Sequence, residues 1–364
     1  MEIECVLPKL KQAVAKTERI TTKKASLSVL ECLLLEAEDG QLTIQATNLD
    51  IGIKMSVPVK VQEAGEVAVP AGVFSRYLSN LPEEGAVTLE TEENTLLVSS
   101  ETTDTEIKVQ PTDEFPSIPS VEDGKEVTVS SDNLVSGFDS VWYAASPSSM
   151  KPELSSVSVY TQDDNLYFVA TDSFRLAEKK LSDIDIADLS ILIPHQNVAE
   201  IIRIFRDIDD NLTLLVGENQ LVIENESIYV SSRLIDGSFP DYTKIIPDTS
   251  SVEAGVAKQE LADTLRLADI FSDKFNQLTI SAEPDNDQLT LTTSNADIGE
   301  NTSQISANIA GEKLTSQFNH SYITDAFQSL PDNTVTLSLS EDAPMVIQSQ
   351  DDDSFQYLVM PMSQ

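Results

Sequence analysis

The chain is poor in positive charge. Its 364 residues hold 23 Lys and Arg against 61 Asp and Glu, a formal net charge of −38 at pH 7. Phosphate binding relies on Lys and Arg, so this balance taken alone argues against a nucleic-acid partner. It implies high solubility and strong self-repulsion, and it suits a salt-rich cytoplasm. Cysteine is scarce: Cys5 and Cys32 are too few for a disulfide framework or a zinc site and read as plain core residues. Histidine is limited to His195 and His320, neither in a motif with a nucleophile or a metal partner. A phosphate-cradling Gly-x-x-x-x-Gly-Lys-Ser/Thr loop is missing, which excludes ATP hydrolysis by that route. These absences leave no support for an enzyme, a cofactor or a metal centre. Asp351-Asp352-Asp353 reads as a solvated turn rather than a cation site. Nor is there an apolar run of about 18 residues to span a membrane. Residues 1–16 lack the apolar stretch of a secretion signal, so the expected location is cytoplasmic.

What is present is a repeat. Hydrophobic residues make up 40% of the chain, enough for packed cores, and the length calls for two or three domains. Leu42-Thr43-Ile44-Gln45-Ala46-Thr47-Asn48 returns 124 positions later as Leu166-Tyr167-Phe168-Val169-Ala170-Thr171-Asp172, and more weakly as Leu289-Thr290-Leu291-Thr292-Thr293-Ser294. Val69-Pro70 and Phe115-Pro116 recur at the same shift as Ile193-Pro194 and Phe239-Pro240. Phe74, Tyr77, Leu78 and Leu81 map onto Val198, Ile201, Ile202 and Phe205, and onto Ile323, Ala326, Phe327 and Leu330. That spacing is one face of an amphipathic helix, stopped by proline after Leu81 and Leu330.

A second helix per copy follows from Leu7, Leu10 and Val14, from Leu134, Phe138 and Val141 (a helix over 132–145), and from Leu261, Leu265 and Ala268. Between helices, apolar and polar residues alternate in strand fashion, as at Val87 and Leu89, Leu212 and Leu214, and Val335 and Leu337. Acidic and Asn/Gly turns such as Glu38-Asp39-Gly40 and Asp163-Asp164-Asn165 separate the strands. Linkers fall at 116–126 and 240–253. The expected fold class is therefore α+β, with three equivalent domains over 1–120, 121–250 and 251–364, each of two helices and about eight strands.

Four motifs give this repeat a family. Ala170-Thr171-Asp172-Ser173-Phe174-Arg175-Leu176-Ala177, Arg233-Leu234-Ile235-Asp236-Gly237-Ser238-Phe239-Pro240-Asp241-Tyr242, Lys151-Pro152-Glu153-Leu154 and Tyr357-Leu358-Val359-Met360-Pro361-Met362 resemble segments of the bacterial β sliding clamp, the β subunit of DNA polymerase III. They stand in that family's order and spacing, so the resemblance covers the whole chain. It implies DNA-clamp domains in a head-to-tail homodimeric ring around duplex DNA, with helices lining the hole. It also implies binding without base preference, and partnership with the DNA polymerase III catalytic subunit, the clamp loader and other proteins bearing a clamp-binding motif.

The resemblance then assigns roles. Leu154, Thr171, Ser173, Phe174, Arg175, Leu176, Pro240, Lys244, Ile245, Leu358, Val359, Met360, Pro361 and Met362 would surround a pocket for a partner peptide, where apolar burial supplies most of the energy. Lys9, Lys16, Lys23, Lys24, Lys151 and Arg203 would face DNA. Tyr77, Thr105 and Ile107 would meet Ile270 and Phe271 of a second copy. The chain departs from the family where Ser173-Phe174 replace Gly-His, where His195-Gln196 replace basic residues, and where Asp104 and Glu106 stand on a side that relatives make positive. The rival readings are an acidic multidomain scaffold or adhesion protein and a hydrolase with dispersed acids. The first calls for a secretion signal, the second for a pocket of perturbed carboxylates.

Overall fold

The computed structural model describes residues 1–22, 27–182 and 189–362, and divides into two compact units. Among the described residues there are six α-helices: α1 (Leu7–Glu18), α2 (Ala71–Ser79), α3 (Ser131–Asp139), α4 (His195–Phe205), α5 (Lys258–Ile270) and α6 (His320–Ala326). Each third of the chain carries two, as the periodicity predicts. Their apolar stripes are buried: Phe74 and Leu78, Val198, Ile201, Ile202 and Phe205, and Ile323 and Ala326. Each of the Val, Leu, Ile and Phe side chains contributes about 1.5–3 kcal/mol on full burial. Pro8 sits in the first turn of α1, where a missing N–H costs nothing, and the Asn319 side chain caps α6 by accepting from the Ser321 N–H at 2.9 Å. One expectation is corrected: the helix predicted over 132–145 stops at Asp139. Val141 leaves helical geometry (φ −128°, ψ −29°), and a short 3-10 turn, Trp142–Ala144, follows. Gly137 lets α3 approach Phe168, because a Cβ there would meet that ring at 2.4 Å.

The first unit comprises 1–132 and 199–234. It contains a five-stranded antiparallel sheet in the order Lys60–Glu63, Glu2–Val6, Ala86–Glu92, Thr95–Ser99, Asp104–Lys108. Its second sheet has eight strands, in which Ile228–Arg233 pairs with Ile51–Pro58 in the register Val230 to Ile53. The second unit comprises 133–198 and 235–364. Its nine-stranded sheet is joined where Arg175–Leu181 pairs with Phe355–Val359, Arg175 opposite Val359 and Leu176 opposite Leu358. Its four-stranded sheet runs Gly299–Ser306, Gln288–Asn295, Gln277–Glu283, Leu314–Asn319. The two joints are equivalent in the repeat: Ile51 and Arg175 lie 124 positions apart, and each begins the strand that meets the last strand of the following repeat.

Strands with one polar face alternate strictly, as in Thr334–Leu339, whose Val335, Leu337 and Leu339 point inward. The turn at Asp163 and Asp164 has φ of 49° and 59°, the double left-handed geometry that joins two strands tightly. Cys5 and Cys32 are buried, and that burial pushes both thiols up to about 11. No described helix is long and apolar enough to cross a membrane, and no described cluster of His, Cys, Asp or Glu could hold a metal ion.

Candidate functional site

The site in the second unit is built on a hairpin tip. Thr171 ends one strand and Arg175 begins the next. Asp172 Oδ1 accepts the N–H groups of Phe174 (2.9 Å) and Arg175 (3.0 Å), and Thr171 Oγ1 accepts from Ser173 and donates to the Arg175 carbonyl. Ser173 takes φ +80°, a left-handed value that the surrounding bonds enforce. The same tip occurs in the first repeat. Asn48 Oδ1 accepts from Asp50 and Ile51, Thr47 Oγ1 accepts from Leu49 and donates to the Ile51 carbonyl, and Leu49 has φ +77°. The chemistry differs at the last position, where the first repeat has buried Ile51 and the second has Arg175.

The tip meets the chain's C-terminal segment, for Met360 N–H donates to the Phe174 carbonyl at 2.8 Å. Met362 N–H then donates to Gln317 at 2.8 Å, fixing the segment to the outer strand Leu314–Asn319. Beneath, Leu176, Leu358, Val169, Tyr242 and Val346 form one apolar cluster, with Tyr160, Tyr167, Phe239 and Ile246 packed on it. Tyr242 shares a 2.5 Å hydroxyl contact with Tyr160 and donates to Glu178; burial, then that carboxylate, push its pKa up. Three of the four motif segments thus converge. Leu154, Thr171, Leu176, Leu358 and Val359 are buried, Leu176 and Leu358 within that cluster, whereas Phe174 (61% exposed), Ile245 (42%), Pro240 and Ser173 lie at the surface. Lys244 is exposed and paired with Asp241 at 2.7 Å. Pro361 and Met362 line a cavity of about 570 Å³ with Gln317, Glu341 and Asp342.

Sequence reasoning missed the surroundings of Arg175. Its Nε donates to Asp172 at 3.0 Å, one Nη to Asp325 and the other to the Tyr143 carbonyl at 2.8 Å, while its plane lies 4.8 Å from the Tyr322 ring centroid. Asp325 sits 150 positions away, beyond any local signal.

The basic residues divide. Lys9 and Lys151 are exposed. Lys16 donates to the Ile204 carbonyl at 2.5 Å, and burial pushes its pKa down against the pull of Asp207. Arg203 pairs with Glu200 on its own helix. Lys23 and Lys24 lie outside the described residues. Of the residues expected at a copy-to-copy contact, Tyr77 donates to or accepts from Thr103 at 2.9 Å and Thr105 is half-buried on the edge strand Asp104–Lys108. Ile107 is only 5% exposed and packs inward, so that strand presents Asp104, Glu106 and Lys108 instead. Ile270 is 59% exposed, and Phe271 lies beside Gly299. Leu267, Phe275 and Ile298, also exposed, carry no signal in the sequence that marks them. His195 bonds the Ser155 carbonyl at 2.8 Å and His320 is buried, its pKa pushed down by that burial.

Three repeated α+β domains with sheets shared between neighbours define the DNA-clamp class of protein. Family profiles for the DNA polymerase III beta subunit match along the chain, the N-terminal domain over 1–119, the central domain over 128–241 and the C-terminal domain over 243–363. The beta sliding clamp of Synechococcus elongatus is 27% identical over 371 residues, spanning 100% of this chain and 99% of that protein. The Vibrio cholerae beta sliding clamp is 27% identical over 343 residues, 93% of each chain. The DNA polymerase III subunit beta of Pseudomonas aeruginosa superimposes with a TM-score of 0.94 at 23% identity over 100% of both chains, and that of Thermotoga maritima with 0.94 at 24% over 100% of this chain and 99% of the other. The chain belongs to the DNA polymerase III beta subunit family. Its function is that of a DNA sliding clamp, a non-catalytic processivity factor of replication.

Proposed function

We propose that two copies of this chain close head to tail into a homodimeric ring around duplex DNA in the cytoplasm. One pocket per copy then tethers the DNA polymerase III catalytic subunit, the clamp loader and other proteins carrying a clamp-binding motif. Domains near 1–120, 121–250 and 251–364 are the repeating units of that ring.

The observation that carries the pocket reading is the convergence of the tip 171–176, the segment 239–246 and the C-terminal strand on one apolar cluster. Buried Leu176, Leu358 and Val359 support it from behind, and Phe174, Ile245, Met360 and Met362 offer apolar contact to a short segment with Leu or Phe anchors. Methionines adapt their shape to several ligands in turn.

Charge placement supports the DNA reading. The six helices hold seven basic residues (Lys9, Lys11, Lys16, Arg76, Arg203, Lys258, Arg266) and eight acidic ones (Glu18, Asp132, Asp139, Glu200, Glu260, Asp263, Asp269, Asp325). Near balance on the helices, in a chain of −38, leaves the acidity on strands and loops. A nearly neutral wall suits a ring that holds DNA by topology and slides.

Titration of a fluorescent Gln-x-x-Leu-x-Phe peptide tests the pocket. The full chain is expected to bind it with Kd of about 1 μM, or about −8 kcal/mol. A chain ending at residue 359 should lose that binding; equal affinity of both chains would remove the pocket from this place.

A further inference from the structure

We infer that Asp325 is a positioning residue for the peptide pocket, acting through Arg175. The inference rests on the pocket reading above and adds to it that Arg175 acts as a strut. Its side chain is only 12% exposed, and three of its five N–H donors are committed to Asp172, Asp325 and the Tyr143 carbonyl. Tyr143 and Tyr322 stand near its plane, with centroids at 6.0 and 4.8 Å. A guanidinium so engaged is fixed in place by three elements at once.

The internal repeat shows what the arginine is for. The first-repeat tip has the same Asx bonds and the same left-handed residue, yet ends in Ile51. A cation is therefore not needed to make this tip fold. In the second repeat it ties the tip to other elements: through Tyr143 to the 3-10 turn Trp142–Ala144, and through Asp325 to α6. The tip carries exposed Phe174, and the Phe174 carbonyl holds Met360. A shift of the tip moves both pocket residues together. Asp325 thus lets α6, in the last repeat, set the shape of a surface carried by the middle one. With its side chain 46% exposed, it can be changed without opening a core, and Asp172 continues to neutralise Arg175 when it is.

The test uses the full chain as wild type, Asp325→Asn, Asp325→Glu and Arg175→Lys. Two readouts are followed: amide exchange of residues 171–176 and titration with the Gln-x-x-Leu-x-Phe peptide. Asp325→Asn is expected to speed exchange at the tip, leave the melting temperature nearly unchanged and weaken the peptide about tenfold. Asp325→Glu should recover most of both, since the carboxylate returns. Arg175→Lys keeps the charge but cannot span both carboxylates and the carbonyl, so it should act in the same direction as Asp325→Asn. Wild-type exchange and affinity in Asp325→Asn and Arg175→Lys would overturn the inference. A wild-type chain that binds no peptide would instead overturn the pocket reading. Tip exchange then decides the strut alone: unchanged exchange sinks it, and faster exchange confined to 171–176 supports it.

Discussion

A lysine ammonium can satisfy a helix end or a phosphate, and Lys16 and Lys9 on α1 differ in which is open to them. Lys16 is spent on the Ile204 carbonyl near the end of α4 and is partly buried, whereas Lys9 stands exposed. Lys16→Met is expected to destabilise the fold by about 1–2 kcal/mol, the scale of a lost charged hydrogen bond, and to leave the salt dependence of duplex binding nearly unchanged. Lys9→Ala should do the reverse, keeping the melting temperature and shrinking the slope of log K against log salt by about 0.9. Melting curves and anisotropy titrations with a duplex oligonucleotide separate the two. A Lys16→Met slope change as large as that of Lys9→Ala would show that Lys16 serves DNA after all. The sequence alone could not make this division, because both residues belong to one Lys-rich helix and the carbonyl that claims Lys16 lies 188 positions on. The same limit hid Asp325. Thr171-Asp172-Ser173-Phe174-Arg175 was legible as a motif, but its tether depends on a pairing that no local spacing encodes.

At the scale of elements, the repeat reaches further than its apolar stripe. Leu81, Phe205 and Leu330 are equivalent positions, and each carbonyl is capped by a side chain from the other helix of its pair. Lys11 donates to Leu81 at 2.8 Å, Ser131 Oγ to Phe205 at 2.8 Å, and Lys258 to Leu330. The carbonyls at a helix C-terminus are left without intrahelical partners and carry negative dipole charge, so a cation there is favoured. Lys11→Met and Lys258→Met are each expected to cost about 1–2 kcal/mol, and Ser131→Ala about 1 kcal/mol. Calorimetric melts with local amide exchange are the measurement; no faster exchange at the capped ends would dismiss the caps. Helix positions and stops were legible because Leu-rich spacing and Leu81-Pro82 and Leu330-Pro331 are local signals. The end of α3 was not. Val141 keeps the apolar pattern and is buried, yet it lies outside the helix, in the bend that leads to Tyr143 and its carbonyl for Arg175.

For the whole molecule, charge and apolar surface pull the proposed ring in opposite directions. Each copy carries −38, and of the two edge strands taken here to meet in the proposed ring, Asp104–Lys108 presents Asp104, Glu106 and a single Lys108, and Gly299–Ser306 presents Glu300. In the proposed ring, attraction would come from exposed Leu267, Ile270, Phe275 and Ile298, which gain by leaving water whatever the salt. Repulsion between copies reaches about 10 Å at 0.1 M salt and about 3 Å at 1 M. The dimer is therefore expected to tighten as sodium chloride rises, while attraction of phosphate to exposed lysines such as Lys9 weakens over the same range. Sedimentation velocity at about 1 μM chain, a concentration at which a complex near −8 kcal/mol is half formed, should show a growing dimer fraction from low to high salt. Ile270→Asp should abolish the dimer at every salt concentration. A wild-type dimer that instead falls apart as salt rises would mean that opposite charges, Lys108 among them, hold the seam. If the dimer tightens, closure is strongest where phosphate attraction is weakest, and such a ring keeps its DNA by encirclement rather than by charge.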